Sequence, residues 1–366
     1  MNRAATASDR PLVWCLEGHK AGDNSQLRAI AAALAEKRAF DLRTIQLDFA
    51  PQELMVTLLL DASTLGLTSE ARARIVRPWP DVILTAGRRN EAVARWVRRE
   101  SLGHTRLVHC GRPWAHPLRY DLIVTTPQYF LDRKTYPNVL TLPLPPAPSR
   151  SAAPVAVEGP VLLLIGGESG STQLSAAFAK DLVARVAAFA RNRNRPLRIA
   201  TSPRTSTDAE SAIGEQARQE QAEVYLWNAQ RGEGNPYAEW LDHASGVVVT
   251  ADSMSMVAES AALGHPTWIA RLPAPDRPWW QTRRGWRWRS ATHEIAQIVA
   301  PLRFRRDTSR LLGALVESGR AAWFEPEGSE ARTPRAVANG QIVEGDAERA
   351  AAAVADLLPR LRASGG

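Results

Sequence analysis

Cysteine is scarce. The 366-residue chain holds two, Cys15 and Cys110, so no disulfide framework can staple it. Each sits in an apolar run, where a reduced, buried thiol is expected. With those two and seven scattered histidines no zinc-ligand spacing occurs, and no convincing Asp-x-Asp pair is present, so no metal site is expected. Long apolar runs are missing as well. None approaches the roughly eighteen residues that mark a membrane span. The polar start, Met1 to Arg10, has no apolar stretch of the kind that marks a secretory signal, so a cytoplasmic location is expected. Lysine is rare, and the formal net charge of +8 is carried almost wholly by arginine. Such an excess favours an anionic partner, whether phosphorylated substrate, acidic lipid or nucleic acid. A coding bias toward Arg, Ala and Pro explains it equally well.

What is present reads as an ordinary globular chain, 45% hydrophobic and 23% charged, long enough for two domains. Short apolar strands are expected at 12–16, 44–47, 81–85, 106–109 and 122–125. Helical spacing covers 25–36, with Asp23 or Asn24 as N-cap, and also 51–67 and 91–100. Residues 141–160 then hold six prolines, which reads as a stiff linker. The alternation restarts beyond it. Strands are expected at 161–165, 197–200, 224–227, 247–250 and 267–270, and helices at 174–192, 208–221, after Asn235-Pro236, and at 255–263. Such alternation means βαβ units and parallel sheets. The expected division is 1–150 and 151–345, with a last amphipathic helix at 346–362 packing back on the first part.

Two loops of the second half sit where ligands bind in open α/β sheets, beyond the carboxyl ends of strands. Gly166-Gly167-Glu168-Ser169-Gly170-Ser171 leads from a strand into a helix. Its backbone N–H groups can approach an anion, and a helix N-terminus adds about half a positive charge. It is neither a Walker loop nor a G-x-G-x-x-G fingerprint, and a plain tight turn remains open. The second loop, Asp252-Ser253-Met254-Ser255-Met256, also opens a helix. Glu259 lies one turn after Ser255 on the same face, where a carboxylate can accept two hydrogen bonds from a cis-diol such as ribose. A local cap and a solvated face are the other reading.

The order strand-Gly166-Gly167-x-Ser169-Gly170, followed by Ser253-x-Ser255-Met256-Val257-x-Glu259 and Gly264-x-Pro266, resembles the C-terminal domain of GT-B glycosyltransferases. The bacterial enzyme that adds GlcNAc to lipid I has a similar layout. The whole chain more closely resembles the mitochondrial-fission "elongated mitochondria" family, which has many bacterial members of glycosyltransferase type. The resemblance is carried by Gly18-His19-Lys20-Ala21-Gly22-Asp23-Asn24, Ala86-Gly87-Arg88-Arg89, Gly166-Gly167, Thr201-Ser202-x-Arg204-Thr205, Asn235-Pro236-Tyr237 and 249–256. It implies an α/β, GT-B-like fold: two Rossmann-like domains facing a cleft, with the acceptor held by the first and a nucleotide sugar, UDP-linked, by the second. Gly166, Gly167 and Ser169 then match diphosphate contacts, Ser253, Met254, Ser255 and Met256 the sugar-phosphate loop, and Glu259 the ribose contact. Ser202 and Arg204 lie beside them, and an arginine there can neutralise diphosphate. Trp227 either stacks on the base or is a core residue.

In the first half, His19 follows the first strand and is suited to take a proton near neutral pH. Alternatively His19 and Lys20 bind an anionic acceptor, with Asp23 as a cap. Lys20, Asp23, Asn24, Arg88 and Arg89 are the candidate acceptor-binding residues. The stretch 279–289 packs four Trp and four Arg into eleven residues. It suits a membrane interface, where it would meet an anionic or lipid-linked acceptor on the inner face. Stacking on its own domain is the other reading. Single-stranded nucleic acid also fits such a surface, but the two βαβ halves account for the chain without it, so no nucleic-acid partner is expected. The expected activity is a metal-independent glycosyl transfer. The alternative is a non-catalytic adaptor of the same fold acting in membrane morphology.

Overall fold

The computed structural model describes residues 10–50, 62–147, 158–167, 174–273, 301–325, 334 and 345–359. These form two compact units. One comprises the described residues within Met1–Ser149, Leu302–Arg306 and Glu344–Gly366, and the other those within Arg150–Pro301 and Asp307–Val343.

The first unit is built on β1 (Leu12–Glu17), β2 (Asp41–Gln46), β3 (Val82–Ala86), β4 (Arg106–Cys110), β5 (Leu122–Thr125) and β6 (Val139–Thr141). All pair in parallel, in the order β2-β1-β3-β4-β5-β6. Side chains of β1 alternate between two buried faces. Val13 and Cys15 meet α1 (Ala21–Lys37), while Trp14 and Leu16 lie with Val93 and Val97 of α3 (Arg88–Glu100). Burial on both faces explains why these strands read as unbroken apolar runs. Burial also pushes the Cys15 thiol up to about 12, with the Glu17 charge adding to it. A short α2 (Ser69–Ala73) is capped by the Thr68 hydroxyl.

The second unit runs β7 (Val161–Leu164), α4 (Ala176–Arg191), β8 (Leu197–Ala200), α5 (Thr207–Gln219), β9 (Glu223–Tyr225), α6 (Trp227–Gln230), α7 (Tyr237–Asp242), β10 (Gly246–Thr250), α8 (Met254–Ala262), β11 (Thr267–Ala270), α9 (Thr308–Glu317) and β12 (Ala322–Trp323). Its parallel sheet has the order β12-β11-β10-β7-β8-β9. Counted within the unit, that is the doubly wound 3-2-1-4-5-6 order of dinucleotide-binding folds. Side-chain oxygens of Ser175, Ser206 and Asp307 cap α4, α5 and α9. The α/β class and the pair of Rossmann-like sheets are as expected.

Two segments return to the first unit. Residues 302–306, which the sequence division leaves within 151–345, belong to it. There Arg306 donates to the Gln128 side chain at 2.8 Å and Phe304 packs on Trp114. The tail helix α10 (Asp346–Ala355) buries Ala350, Ala351 and Val354 in the same cluster as Leu27, Ile30 and Leu34 of α1. Arg38, just past α1, donates to the carbonyls of Ala355, Leu358 and Pro359. Ala355 is the last residue of α10, so the guanidinium also meets the helix dipole there.

Local details differ from the sequence reading. Neither Asp23 nor Asn24 caps α1, because the helix starts at Ala21 and places both in its first turn. The strand expected at 224–227 ends at Tyr225, and Trp227 instead opens α6. The helix after Asn235-Pro236 starts at Tyr237, so Pro236 takes the cap position. Of the helix expected at 51–67, residues 51–61 lie outside the described residues, and 62–67 are not helical. Strands β6 and β12 were not anticipated; three and two residues are too few to show a period.

Replacing Arg38 with Ala should lower the unfolding free energy by about 1–2 kcal/mol by removing its charged hydrogen bonds to the chain after α10. Urea unfolding of the full chain reads this as a lower midpoint with an unchanged slope.

Candidate functional site

In a doubly wound sheet the crevice forms where the strand order reverses. In the second unit that is between β7 and β10, which are neighbours in the sheet. The chain leaves β7 through Ile165-Gly166-Gly167 and β10 through Ala251-Asp252-Ser253, and hydrogen bonds tie the two ends together. Gly166 N–H donates to the Thr250 hydroxyl at 2.8 Å and Gly167 N–H to Asp252 Oδ2 at 2.9 Å. The loop after β8 joins them. Arg204 Nη2 lies 2.9 Å from Asp252 Oδ2 and donates to Ser253 Oγ at 3.2 Å. Ser202 and Thr205 hydroxyls both donate to the Gly166 carbonyl.

The glycines are required by this closeness. A Cβ on Gly166 would run into the Asp252 carboxylate, and one on Gly167, where φ is +154°, would overlap the Arg204 carbonyl. The Asp252 side chain is fully buried. Burial pushes its carboxyl up, against the pull of the Arg204 guanidinium and the Gly167 N–H. Three strand ends thus meet on one carboxylate, beside the N-terminus of α8.

Gly166, Gly167, Ser202, Arg204 and Ser253 are therefore brought together. Ser169 lies outside the described residues. On α8, Met254 is buried, Met256 half-buried and Ser255 exposed. Glu259, half-buried, accepts a 2.5 Å hydrogen bond from the Tyr237 hydroxyl. Trp227 donates its backbone N–H to the Thr201 hydroxyl at 2.8 Å, and its ring lies against Gly232. Sequence reasoning missed Glu210. Buried in the first turn of α5, it accepts from the Thr201 hydroxyl at 2.6 Å and from Asn228 N–H at 3.1 Å, and so fixes the ends of β8 and β9.

The first unit has its own switch point, between β1 and β3. Asn24 clamps Gly18 there, accepting from its N–H at 2.9 Å and donating to its carbonyl at 2.8 Å. Buried Asn90 donates to the Leu16 carbonyl at 3.1 Å. Gly87 adopts φ +79° with Asp23 Oδ2 close by, so Asp23, Asn24 and Gly87 share one corner. His19 and Lys20 are exposed, with Lys20 Nζ 4.0 Å from Asp23. The two arginines diverge: Arg88 stacks 3.7 Å over Trp114, and Arg89 lies 5.9 Å from Phe49.

Three residues on from Arg88, in the first turn of α3, is Glu91, which no local pattern singles out. It is almost fully buried and accepts from Trp114 N–H at 2.8 Å, Ala115 N–H at 3.0 Å and the Tyr120 hydroxyl at 2.8 Å. His109 Nε2 is 3.5 Å away. Burial alone would push this carboxyl up, but His109 and the two backbone donors outweigh it and hold the carboxyl below its ordinary range.

Among the described residues no group of three or more His, Cys, Asp or Glu could hold a metal ion, and no helix is long and apolar enough to cross a membrane. The Trp/Arg stretch 279–289 lies outside the described residues.

Gly167→Ala should destabilise the second unit by about 2–3 kcal/mol through overpacking, read by thermal unfolding. A carboxyl held low in the folded state stabilises above its unfolded pKa, and that contribution is lost as pH falls through the folded value. Glu91→Gln should therefore cost about 2 kcal/mol near neutrality and progressively less toward acid. Urea titrations between about pH 3 and 7 should show the variant with the shallower acid limb.

A curated relative, mitochondrial fission protein ELM1 of Arabidopsis thaliana, is 24% identical over 320 residues, 73% of each chain. Among solved structures, a UDP-GlcNAc 2-epimerase from Methanocaldococcus jannaschii aligns with a TM-score of 0.47 at 12% identity, covering 94% of this chain and 99% of that one. A UDP-glucosyltransferase from Polygonum tinctorium aligns with a TM-score of 0.46 at 13% identity, covering 96% and 99%. The family model described as mitochondrial fission ELM1 matches residues 21–356, and on that match the chain belongs to the mitochondrial fission ELM1 family.

Proposed function

We propose that the second unit holds the diphosphate of a UDP-linked sugar, and that the chain is a glycosyltransferase acting on a membrane-associated or envelope glycan acceptor. The observation that carries this reading is the junction in which Gly167 N–H and Arg204 meet Asp252 and Arg204 reaches on to Ser253, at a switch point and beside a helix N-terminus. Those donors fit an anion. In the transfer, Arg204 and the α8 N-terminus would stabilise the leaving diphosphate, a task that preorganised donors can perform without a metal ion. Ser169 would add a hydroxyl to the diphosphate contacts, Met254, Ser255 and Met256 would border the sugar phosphate, and Glu259, oriented by Tyr237, would take the ribose diol. Trp227 would flank the base. In the first unit His19 would act as the base toward the acceptor hydroxyl, with Lys20, Asp23, Asn24, Arg88 and Arg89 around the acceptor.

A second reading, a non-catalytic adaptor of the same fold, has one observation in its favour. Asp252 already engages Arg204 and the Gly167 N–H, so the junction is internally neutralised without a ligand.

Calorimetry and thermal shift with UDP-, GDP-, CDP- and ADP-sugars separate the two. A UDP-sugar at a hundred times its dissociation constant should stabilise the protein by about 2.7 kcal/mol. Arg204→Gln should weaken that binding at least about tenfold, the worth of one charged hydrogen bond. His19→Ala should abolish turnover while binding persists. No shift with any nucleotide sugar removes the transferase and leaves the adaptor.

A further inference from the structure

The first unit gathers three arginines that the nucleotide junction does not use. Arg88 opens α3 just beyond β3, Arg112 follows β4, and Arg303 lies in the segment that returns from the second unit. All three surround one pair of rings. The Arg88 and Arg112 guanidiniums lie 3.7 and 5.9 Å from the Trp114 ring centroid, and that of Arg303 lies 4.0 Å over Phe304. Trp114 and Phe304 are themselves 5.2 Å apart. β3 and β4 are adjacent parallel strands, so the cluster stands at their carboxyl ends, the edge where such sheets bind ligands.

Counter-charge is what this cluster lacks. Among the described residues its members meet carbonyls and rings: Arg112 donates to the Phe304 carbonyl, and Arg303 reaches the Trp114 and Ala115 carbonyls at 3.4 Å. The acid that acts on Arg88 and Arg112 is Glu91, and both its oxygens are already taken by Trp114 N–H, Ala115 N–H and the Tyr120 hydroxyl. Glu91 therefore fixes the loop that carries Trp114 rather than pairing with an arginine. Arg88 and Arg112 are partly desolvated, and Arg306 adds repulsion to Arg112. Half-buried cations of one sign, held in place and unneutralised, are costly without an anion. The guanidinium fork matches phosphate oxygens in particular. Trp114 remains 40% exposed beside them, with Leu118 and Leu302 61% and 58% exposed on the neighbouring chain.

We propose that Arg88, Arg112 and Arg303, arranged around Trp114, form a binding site in the first unit for the phosphate or pyrophosphate group of a phosphoester ligand. The binding itself is independent of the nucleotide site; its role as the acceptor's anchor rests on the transferase reading above. The exposed Leu118 and Leu302 distinguish two sources of the same chemistry, a soluble phosphoester and one with an apolar tail.

The test is calorimetric titration of the full chain with inorganic pyrophosphate, in wild type and in Arg204→Gln, which disables the second unit's own guanidinium. One-to-one binding should survive Arg204→Gln and weaken at least about tenfold in Arg112→Gln and in Arg303→Gln. A parallel titration with geranyl pyrophosphate should be tighter than pyrophosphate if the ligand is tailed and equal if it is soluble; either supports the site. Should a variant not fold, phenylglyoxal labelling of the wild type reads the same site by mass spectrometry. Pyrophosphate should protect residues 88, 112 and 303 several-fold. Binding that is absent in wild type, unchanged by both substitutions, or without protection at these three positions overturns the proposal. Failure of every nucleotide sugar to bind, with pyrophosphate still protecting these arginines, removes the transferase reading and leaves this site standing.

Discussion

A buried negative charge organises the second unit. Asp252 has no exposed side-chain surface, and an ionised carboxylate in that position is tolerable only when paired and hydrogen-bonded. Its partners come from two other strand ends: the Gly167 N–H beyond β7 and the Arg204 guanidinium beyond β8. Much else follows from that requirement. Gly166 and Gly167 must lack side chains so that the carboxylate can reach the backbone, and Ser202 and Thr205 turn their hydroxyls onto the Gly166 carbonyl to hold it still. Arg204 is thereby aimed at Ser253 and the start of α8.

The first unit solves the corresponding problem with neutral amides. Asn24 and Asn90 bind the backbone at the end of β1. Buried Glu91 sits in the first turn of α3 and holds the loop after β4. The consequence is an asymmetry of charge. The second unit neutralises its arginine internally, whereas the first leaves Arg88 and Arg112 against an aromatic ring.

The strand–helix alternation and both glycine corners were readable because their signals are local. Runs such as Val161–Leu164 and Val247–Val249 are apolar throughout, as strands buried on both faces must be, and Gly166-Gly167 sits just after one of them. What stayed hidden depends on distant partners. Glu91 looks like an ordinary first-turn acid, since nothing at position 91 reveals that the chain returns at 114–120 to use it. Asn24 reads as a helix cap because its type favours that role, yet its amide is drawn to Gly18. Tyr237 and Glu259 lie 22 residues apart on separate helices, so their pairing has no spacing to announce it. Residues 302–306 carry no periodicity, and only packing on Trp114 and Gln128 shows where they belong.

The return of residues 302–306 and of α10 to the first unit also sets an order of assembly. A chain emerging from the ribosome ordinarily folds its earlier domain first, at a pace of roughly 5–20 residues per second. Here the earlier unit cannot close. The cluster that holds Leu27, Ile30 and Leu34 of α1 is incomplete until Ala350, Ala351 and Val354 arrive, and Trp114 waits for Phe304. Five strands of the second unit, β7 to β11, are synthesised before either segment appears. The unit synthesised earlier is thus the one completed later, its core short of the α10 alanines in the interval.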